Sequence, residues 1–327
     1  MTGLSVAWEA ARRGARVRVI DPRGVGAGAS GGVVGALAPH APERWNAKKA
    51  FQLRALLAQD DWWAGVIEAG GGDPGYARDG RVQPVADAAR AAALAEGAAR
   101  HWPGHAWVVE AAGDWAPQTP TGQVSRDTLT GRLHPARACD ALARAIRARG
   151  GAIVAEAAEA GVVVEATGWR GLQAMANAAG RPAGVGIKGQ AAVLGLDRRG
   201  LPQLYADGLH VVPHGDGTVA VGSTTERDWT EEGATDALLD DVVARARALV
   251  PGLRDAPVLA RWAGARPRAR TRGPVLGPWP GRPGRLVANG GFKIGFGVAP
   301  EMARVVADLA LEGIDRVPEG MRVEDAL

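Results

Sequence analysis

The chain has 327 residues, of which 46% are hydrophobic and 23% are charged, and its formal net charge is +4. This is the composition of an ordinary globular protein, and the length allows one large α/β domain or two domains. No run of about 18 apolar residues occurs, which argues against a transmembrane helix. The single cysteine, Cys139, excludes a disulfide within the chain and any metal site built from several cysteines.

Arginine supplies nearly all the positive charge of the chain. The arginines are scattered, without a basic block interleaved with aromatic residues, so nucleic-acid binding is not indicated. The first residues lack the basic start and apolar run of a secretory signal, and we therefore expect a cytoplasmic protein.

The first half of the chain alternates helical and extended patterns. Residues 1–14 have apolar residues at helical spacing, and residues 15–20 predict a short strand that ends at Asp21. A glycine-rich loop follows at residues 24–35. Further predicted elements are helices at residues 47–69, 86–100 and 135–149, strands at residues 152–155 and 162–166, and antiparallel structure with many turns at residues 72–131.

The second half begins with a predicted β-meander at residues 188–226, with a turn at residues 214–217. A helix is predicted at residues 234–250, a strand at 285–288 and a glycine-rich turn at 289–297. The last helix is predicted to begin at Pro300, because proline suits the first turn of a helix.

Helix-to-strand steps of the α/β kind occur at the start, middle and end of the chain, and β-rich stretches lie between them. We therefore predict an α/β fold in which a nucleotide-binding domain is assembled from three segments. These are residues 1–71, 132–185 and 263–327. The inserted substrate domain is assigned residues 72–131 and 186–262.

The start of the chain carries part of a dinucleotide-binding motif. Such a motif needs a strand, a glycine turn, a helix whose N-terminus faces the pyrophosphate, and an acidic residue after the second strand for a ribose hydroxyl. Gly3 stands where the third glycine belongs, and Asp21 follows at the right spacing. By itself this pattern fits an ordinary helix–strand unit equally well.

The first strand and the first two glycines of that motif do not occur in this sequence. We expect that a start site placed too far downstream accounts for this. The alternative is a non-catalytic chain, because the parallel sheet and the pyrophosphate turn would then lack these parts.

Several stretches resemble the D-amino-acid oxidase (DAO) superfamily of flavoenzymes, which includes glycine oxidase and sarcosine oxidase. In chain order they are LSVAWEAARRGARVRVID at 4–21, AGASGGVVGALAP at 27–39, VVVEATGW at 162–169, Gly189–Gln190, WAGARP at 262–267 and GGFKIGFGVAP at 290–300. Together they cover nearly the whole chain in the order found in that family.

The resemblance implies a Rossmann-like FAD-binding domain of the glutathione-reductase type, with an inserted, mainly antiparallel β domain for the substrate. It also implies noncovalent FAD and oxidation of the C–N bond of a small amine or amino acid by hydride transfer to the flavin. Oxygen or another acceptor then takes the electrons. No cysteine lies in the C-terminal turn, so the covalent flavin link of sarcosine oxidases is not expected.

Three residues match substrate positions of the family. Arg266 matches the arginine that binds the substrate carboxylate in glycine oxidase-like members, a task that suits the bidentate geometry of guanidinium. Lys293 matches a second basic residue in the C-terminal turn. His210 replaces a tyrosine, which weakens the case for glycine as substrate. The histidine either contacts substrate or titrates near neutral pH, or it is an ordinary core or rim histidine.

The resemblance also predicts the cofactor contacts. Asp21 would bind the adenosine ribose, and Ser30 and Gly31 would donate backbone N–H groups to the flavin or its phosphates. Gly168, Gly291 and Gly295 would let the backbone approach the isoalloxazine ring. The complete predicted set is Gly3, Asp21, Ser30, Gly31, Gly168, Trp169, Gly291, Phe292, Lys293 and Gly295.

Two other enzyme functions fit the same fold. The stretch GASGGVVGALAPH at residues 28–40 also resembles the flavin domain of the tRNA wobble-uridine modification oxidoreductase, which acts on a carboxymethylamino group. That function predicts a basic surface around the pocket, and the sequence shows no such cluster. The other alternative is a dehydrogenase that passes its electrons to a quinone.

Overall fold

The structure is a computed structural model and describes residues 1–176 and 179–327. Its helices are α1 (Thr2–Arg12), α2 (Ala47–Leu57), α3 (Gln59–Gly70), α4 (Ala88–His101), α5 (Pro135–Ala148), α6 (Gly168–Ala174), α7 (Ala237–Leu249), α8 (Gly295–Glu312) and α9 (Val323–Ala326).

The strands are β1 (Arg18–Ile20), β2 (Ala36–Leu37), β3 (Arg81–Pro84), β4 (Trp107–Ala111), β5 (Gln123–Asp127), β6 (Gly131–Arg132), β7 (Ala152–Val154), β8 (Val163–Glu165), β9 (Gly184–Leu194), β10 (Gln203–Ala206), β11 (Leu209–Pro213), β12 (Val219–Gly222), β13 (Val258–Ala269), β14 (Val275–Pro278) and β15 (Arg285–Asn289).

The parallel strands form two small sheets. In one, β1 pairs with β7, and in the other β8 pairs with β15, whose far edge carries the antiparallel β14. Helix α1 packs against strands of both sheets. In the doubly wound strand order 3-2-1-4, the first strand of the motif lies between the second and the fourth. Here β1 and β8 correspond to the second and the fourth, and no described strand lies between them.

The large sheet has eight strands in the order β13-β9-β12-β11-β10-β3-β5-β4. All neighbouring pairs are antiparallel except β10 with β3, which confirms the predicted mainly antiparallel sheet. The predicted meander is wrong in its order. The additional strand β10 reverses the chain between β9 and β11, so these two run parallel, and β9 pairs with β12 instead.

The predicted division into two domains stays a prediction. Strand β9 crosses the boundary assigned at residues 185 and 186, and β13 crosses the one at residues 262 and 263. These two strands pair along almost their full length. The two parts of the fold are therefore joined by one continuous strand pair, and the residues of that pair border both.

The largest core lies among α1, α2, α3, α5 and α8, with Trp8, Phe51, Trp63 and Met302 buried at its centre. Cys139 is buried in this core, as its place in a helical pattern predicts. Helix α7 covers the large sheet and closes a second core around Val242. Within the described residues, no helix is both long and apolar enough to cross a membrane.

The single helix predicted at residues 47–69 is two helices, with the break at Ala58. Helix α3 has Asp60 and Asp61 in its first turn, where negative charge is favourable next to the positive end of a helix. The break lets α2 pack against α8 while α3 packs against α5. Apolar periodicity alone could not detect it, because both helices present apolar residues to the same core.

The start predicted for the last helix is also wrong, since α8 begins at Gly295 and Pro300 lies inside it. Proline has no N–H, so the carbonyl of Phe296 loses its usual partner four residues later. The buried side-chain amide of Gln59 replaces that partner, since its Nε2 lies 3.3 Å from Phe296 O and 3.2 Å from Gly297 O. Gln59 Oε1 accepts a hydrogen bond of 2.8 Å from Trp63 Nε1.

We expect Gln59→Leu to lower the free energy of unfolding by about 2–4 kcal/mol, because buried polar groups on Phe296 and Trp63 lose their partners. Urea unfolding measures the change. The control is Gln173→Leu, at an exposed position of α6, which should change stability by less than about 0.5 kcal/mol. Equal effects of the two substitutions would contradict this role for Gln59.

Candidate active site

Helix α1 begins in close contact with the end of β8. A Cβ atom on Gly3 would lie 3.1 Å from Cβ of Ala166, so a side chain here would require the helix or β8 to shift by a few tenths of an ångström. The terminal amino group of Met1 donates a hydrogen bond of 3.1 Å to Ser30 Oγ. The structure therefore brings together the start of α1, the end of β8 and the glycine-rich loop.

The glycine-rich loop is folded on itself around Gly31. A Cβ atom there would lie 2.2 Å from Gly26 O, and the N–H of Gly31 already donates to Gly28 O at 3.0 Å. Its N–H group, predicted to face the cofactor, thus has a partner in the loop. The neighbouring Gly32 lies beneath the ring of Trp262, whose nearest atom would be 3.4 Å from a Cβ at position 32.

Asp21 lies directly after β1, as predicted. Its backbone N–H donates to Val154 O at 2.9 Å, and its Oδ1 accepts a hydrogen bond of 3.2 Å from the N–H of Arg23. The carboxylate is half-buried and has no ion pair among the described residues. It keeps acceptor capacity for a hydroxyl group, the role predicted for it.

Gly168 follows β8 at the start of α6 and has a φ of 66°, with nothing within 4 Å of the place of a Cβ. Its carbonyl accepts a hydrogen bond of 2.9 Å from Asn289 Nδ2, which links it to the C-terminal turn. Trp169 is the next residue of the predicted cofactor set. Its Nε1 donates to Glu232 Oε1 at 3.3 Å, and its ring meets Trp229 edge to face at 5.4 Å.

The C-terminal turn leads from β15 into α8. A Cβ atom on Gly291 would lie 2.7 Å from Cα of Gly295, so the turn is compact, whereas Gly295 itself borders open space. Phe292 has a φ of 43°, a conformation that costs a residue with a side chain about 1–2 kcal/mol. Such strain persists where the surrounding structure fixes it, often at functional sites.

Two helix N-termini at this site have no side-chain cap. The residues before α1 and α8, Met1 and Ile294, make no capping hydrogen bond. Helices α2, α4 and α7 are capped by Asn46, Asp87 and Asp236, whereas α3, α5 and α6 also lack a side-chain cap. The first N–H groups of an uncapped helix need another acceptor, and the positive end of the helix favours an anion.

Arg266, on β13, is held by neutral acceptors. Its Nη1 donates to Ser223 Oγ at 2.8 Å, and its Nη2 donates to the carbonyls of Thr224 at 2.8 Å and Lys188 at 3.2 Å. The guanidinium lies across Gly189, where a Cβ would be 2.4 Å from Nη2. The predicted pair Gly189–Gln190 thus has a structural reason, because any side chain at 189 would displace the arginine.

The charge of Arg266 has no ion-pair partner among the described residues. Glu226 is the acidic group that acts on it, but Glu226 also accepts from Gln190 Nε2 at 3.1 Å and lies 3.8 Å from Lys188 Nζ. Burial lowers the pKa of Arg266 to about 10, and Glu226 opposes this shift only in part. The site therefore carries an uncompensated cation.

Three cations surround the ring of Phe292. The guanidinium carbons of Arg266 and Arg268 lie 5.6 and 5.8 Å from the ring centroid, and Lys293 Nζ lies 5.9 Å from it. Lys293 also donates to Thr225 Oγ1 at 3.0 Å. Burial and then the two arginines lower the pKa of Lys293. Arg266 and Lys293 are thus brought together as predicted.

Arg268 was not among the residues predicted from the sequence. The signal that could have found it is the period of two in a strand, which places Arg266 and Arg268 on one face of β13. Ser223, Thr224 and Thr225 were also missed, because the sequence places them in the last strand of the predicted meander, whereas β12 ends at Gly222.

His210 lies beside the same cluster, on β11. Its ring meets that of Tyr205 at 4.7 Å, and its Nδ1 is buried without a hydrogen-bond partner among the described residues. Burial, then repulsion from Arg81 and Lys293, lowers the pKa of His210 to about 3. The imidazole is therefore neutral at neutral pH, so the predicted titration near that pH does not occur in this arrangement.

The mixed α/β fold and the residues of the site fit the class of FAD dependent oxidoreductases. The chain belongs to the FAD dependent oxidoreductase (DAO) family, which matches residues 1–309. This confirms the resemblance seen in the sequence.

Glycine oxidases are among its curated relatives. The chain is 34% identical to glycine oxidase from Pseudomonas aeruginosa over 126 residues, which are 38% of this chain and 35% of that protein. It is 31% identical to glycine oxidase from Bacillus subtilis over 109 residues, 33% of this chain and 29% of that protein. The matched stretches thus span about a third of the length of these relatives.

Solved structures share the whole fold. Glycine oxidase from Geobacillus kaustophilus has a TM-score of 0.82 at 19% identity, covering 97% of this chain and 94% of that one. Iminodiacetate oxidase from Chelativorans sp. BNC1 also has a TM-score of 0.82, at 20% identity, covering 98% and 96%. At these identities the likeness shows the fold alone.

The residues present fit the FAD of this family. Helices α1 and α8 begin without a side-chain cap, α8 begins at Gly295, and both Gly168 and Gly295 border open space. Asp21 has a carboxylate free of ion pairs at the end of β1. Helix N–H groups suit phosphate and flavin oxygens, and a carboxylate suits ribose hydroxyls.

Gly168 and Gly200 offer a matched test of the cofactor position. Both have positive φ with open space around the place of a Cβ, but Gly200 lies in an exposed loop far along the chain. We expect Gly168→Ala and Gly200→Ala each to cost about 1–2 kcal/mol of stability. Only Gly168→Ala should weaken FAD binding, measured by fluorescence titration, and unchanged FAD affinity would remove Gly168 from the cofactor site.

The lowered pKa of His210 predicts a pH effect on stability. Below about pH 6.5 the unfolded chain binds a proton at His210 that the folded chain binds only near pH 3, so falling pH destabilises the fold through this window. We expect His210→Phe to remove this loss. The free energy of unfolding of the variant, relative to that of the parent protein, should therefore rise as the pH falls, by at most about 1.4 kcal/mol per pH unit. Denaturant unfolding over the window measures it, and parallel curves would contradict it.

Proposed function

We propose that this protein oxidises the C–N bond of a small amine or amino acid that carries a carboxylate. FAD, when bound, supplies the hydride acceptor, and the protein supplies the position of the substrate. The observation that carries the proposal is the uncompensated charge of Arg266, held by Ser223, Thr224 and Lys188 beside the C-terminal turn.

Arg266 and Lys293 are proposed to bind the substrate carboxylate. Their charges have no ion-pair partner among the described residues, so a carboxylate gains two charge-assisted contacts without displacing an acidic side chain. A bound carboxylate also raises the pKa of Lys293, because its negative charge opposes the repulsion from the arginines. Holding the carboxylate fixes where the adjoining C–H bond points, which is the main requirement of hydride transfer.

His210 is proposed to border the substrate as a neutral group. A neutral imidazole does not compete with Arg266 and Lys293 for the carboxylate, and its unpartnered Nδ1 has hydrogen-bonding capacity left. The amine proton leaves when the substrate binds, so this scheme requires no protein base at the C–H bond.

The first experiment is the visible absorption spectrum of the protein with FAD. We expect the bands of oxidised flavin, and we expect them to bleach anaerobically when at least one of glycine, sarcosine, iminodiacetate or D-amino acids is added. Bound flavin that none of these reduces would overturn amine oxidation. Reoxidation by oxygen compared with a quinone then identifies the electron acceptor, which stays a prediction, as does the cytoplasmic location.

We expect Arg266→Ala to raise KM for a carboxylate substrate by roughly tenfold or more, since a hydrogen bond to a charged group contributes about 1.5–3 kcal/mol. Steady-state kinetics measure this. The control is Arg261→Ala, because Arg261 lies on the same strand but is exposed and paired with Asp240 at 2.6 Å. Thermal unfolding of both variants separates a folding defect from a binding defect, and an unchanged KM would remove Arg266 from the site.

A further inference from the structure

Arg268 is the cation at this site that the proposed function leaves unused. Its side chain makes no ion pair and no hydrogen bond with any described residue, and its guanidinium carbon lies 5.8 Å from the centroid of the Phe292 ring. The residue is half-buried. A guanidinium has five N–H donors, and partial burial removes part of the water that would otherwise satisfy them.

The placement of Arg268 follows from β13. Residues two apart on a strand point to the same face and lie about 7 Å apart. Along this face stand Trp262, Gly264, Arg266 and Arg268, whereas the alternate residues of the strand turn toward the opposite side. Arg268 therefore extends the carboxylate site in one direction, and both guanidinium groups reach the same Phe292 ring.

The charges at the site do not balance with one carboxylate. Arg266, Arg268 and Lys293 contribute three positive charges, and Glu226, the acid that acts on Arg266, also lies 3.8 Å from Lys188 Nζ. A substrate with one carboxylate uses Arg266 and Lys293 and leaves Arg268 without an anion. A substrate with two carboxylates gives each arginine a partner.

We propose that Arg268 binds a second carboxylate of the substrate, so that the site selects dicarboxylic amines or amino acids over monocarboxylic ones. This inference rests on the proposed function for the place of the substrate, but not on turnover. Bidentate geometry makes arginine well suited to such a contact.

Ligand binding tests the inference without turnover. Isothermal titration calorimetry of the FAD-loaded protein compares malonate and succinate with acetate and propionate. We expect the dicarboxylates to bind roughly tenfold or more tightly, the scale of one added charge-assisted contact. Arg268→Gln should abolish this preference while leaving monocarboxylate affinity nearly unchanged, and Arg268→Lys should retain part of it.

The control variant is Arg270→Gln, which removes the same charge from a nearby exposed residue whose Nη1 donates to Leu327 O at 3.0 Å. It should keep the preference. If Arg268 merely holds the Phe292 ring in place, Arg268→Gln will weaken both ligand classes equally, and that result overturns the inference. A parent protein without any preference for dicarboxylates overturns it as well.

Turnover provides a second comparison, between sarcosine and iminodiacetate, which differ by one carboxylate. We expect a higher kcat/KM for iminodiacetate, and we expect Arg268→Gln to remove the advantage through KM. If no amine reduces the flavin but the binding preference persists and depends on Arg268, the proposed oxidation fails and the inference stands.

Discussion

The organisation of the site depends on one close contact, in which the guanidinium of Arg266 lies over Gly189. Arg266 can lie across β9 only because Gly189 has no side chain, and it is fixed there by two backbone carbonyls and the hydroxyl of Ser223. These acceptors are neutral, so they orient the charge without cancelling it. A group that is desolvated and left unpaired in this way gains most when an anion arrives.

The part of the site proposed to bind the cofactor follows the same principle, with helix N–H donors in place of the cations. Helices α1 and α8 begin without side-chain caps, and Asn289 ties the turn at Gly168 to the turn that opens α8. Donors are thus left without side-chain acceptors where we propose that FAD binds, and cations are left without ion pairs where we propose that the substrate carboxylate binds. In both places the protein supplies fixed partners before the ligand is present, which is the condition for positioning rather than merely binding it.

Much of the site could be predicted from the sequence because its glycines and basic residues stand in ordered, short stretches. The strand β10 could not, and its omission reversed the expected pairing of β9 and β11. The start of α8 was misplaced because Pro300 was read by its usual preference, whereas the buried amide of Gln59 satisfies the carbonyl that this proline leaves free. The sequence did not indicate Arg268, because residues 262–267 were identified only as a family motif and the strand β13 that contains them was not predicted.

The cluster also determines the protonation of its neighbours. Burial, with added repulsion from Arg81 and Lys293, lowers the pKa of His210 to about 3, and burial followed by the two arginines lowers the pKa of Lys293. An arriving carboxylate reverses the second effect because it neutralises part of the field. A bound anion therefore stabilises the charged form of Lys293, and by linkage the charged lysine holds the anion more tightly. The imidazole of His210 stays neutral, so it does not add a further cation to a site that already has an excess.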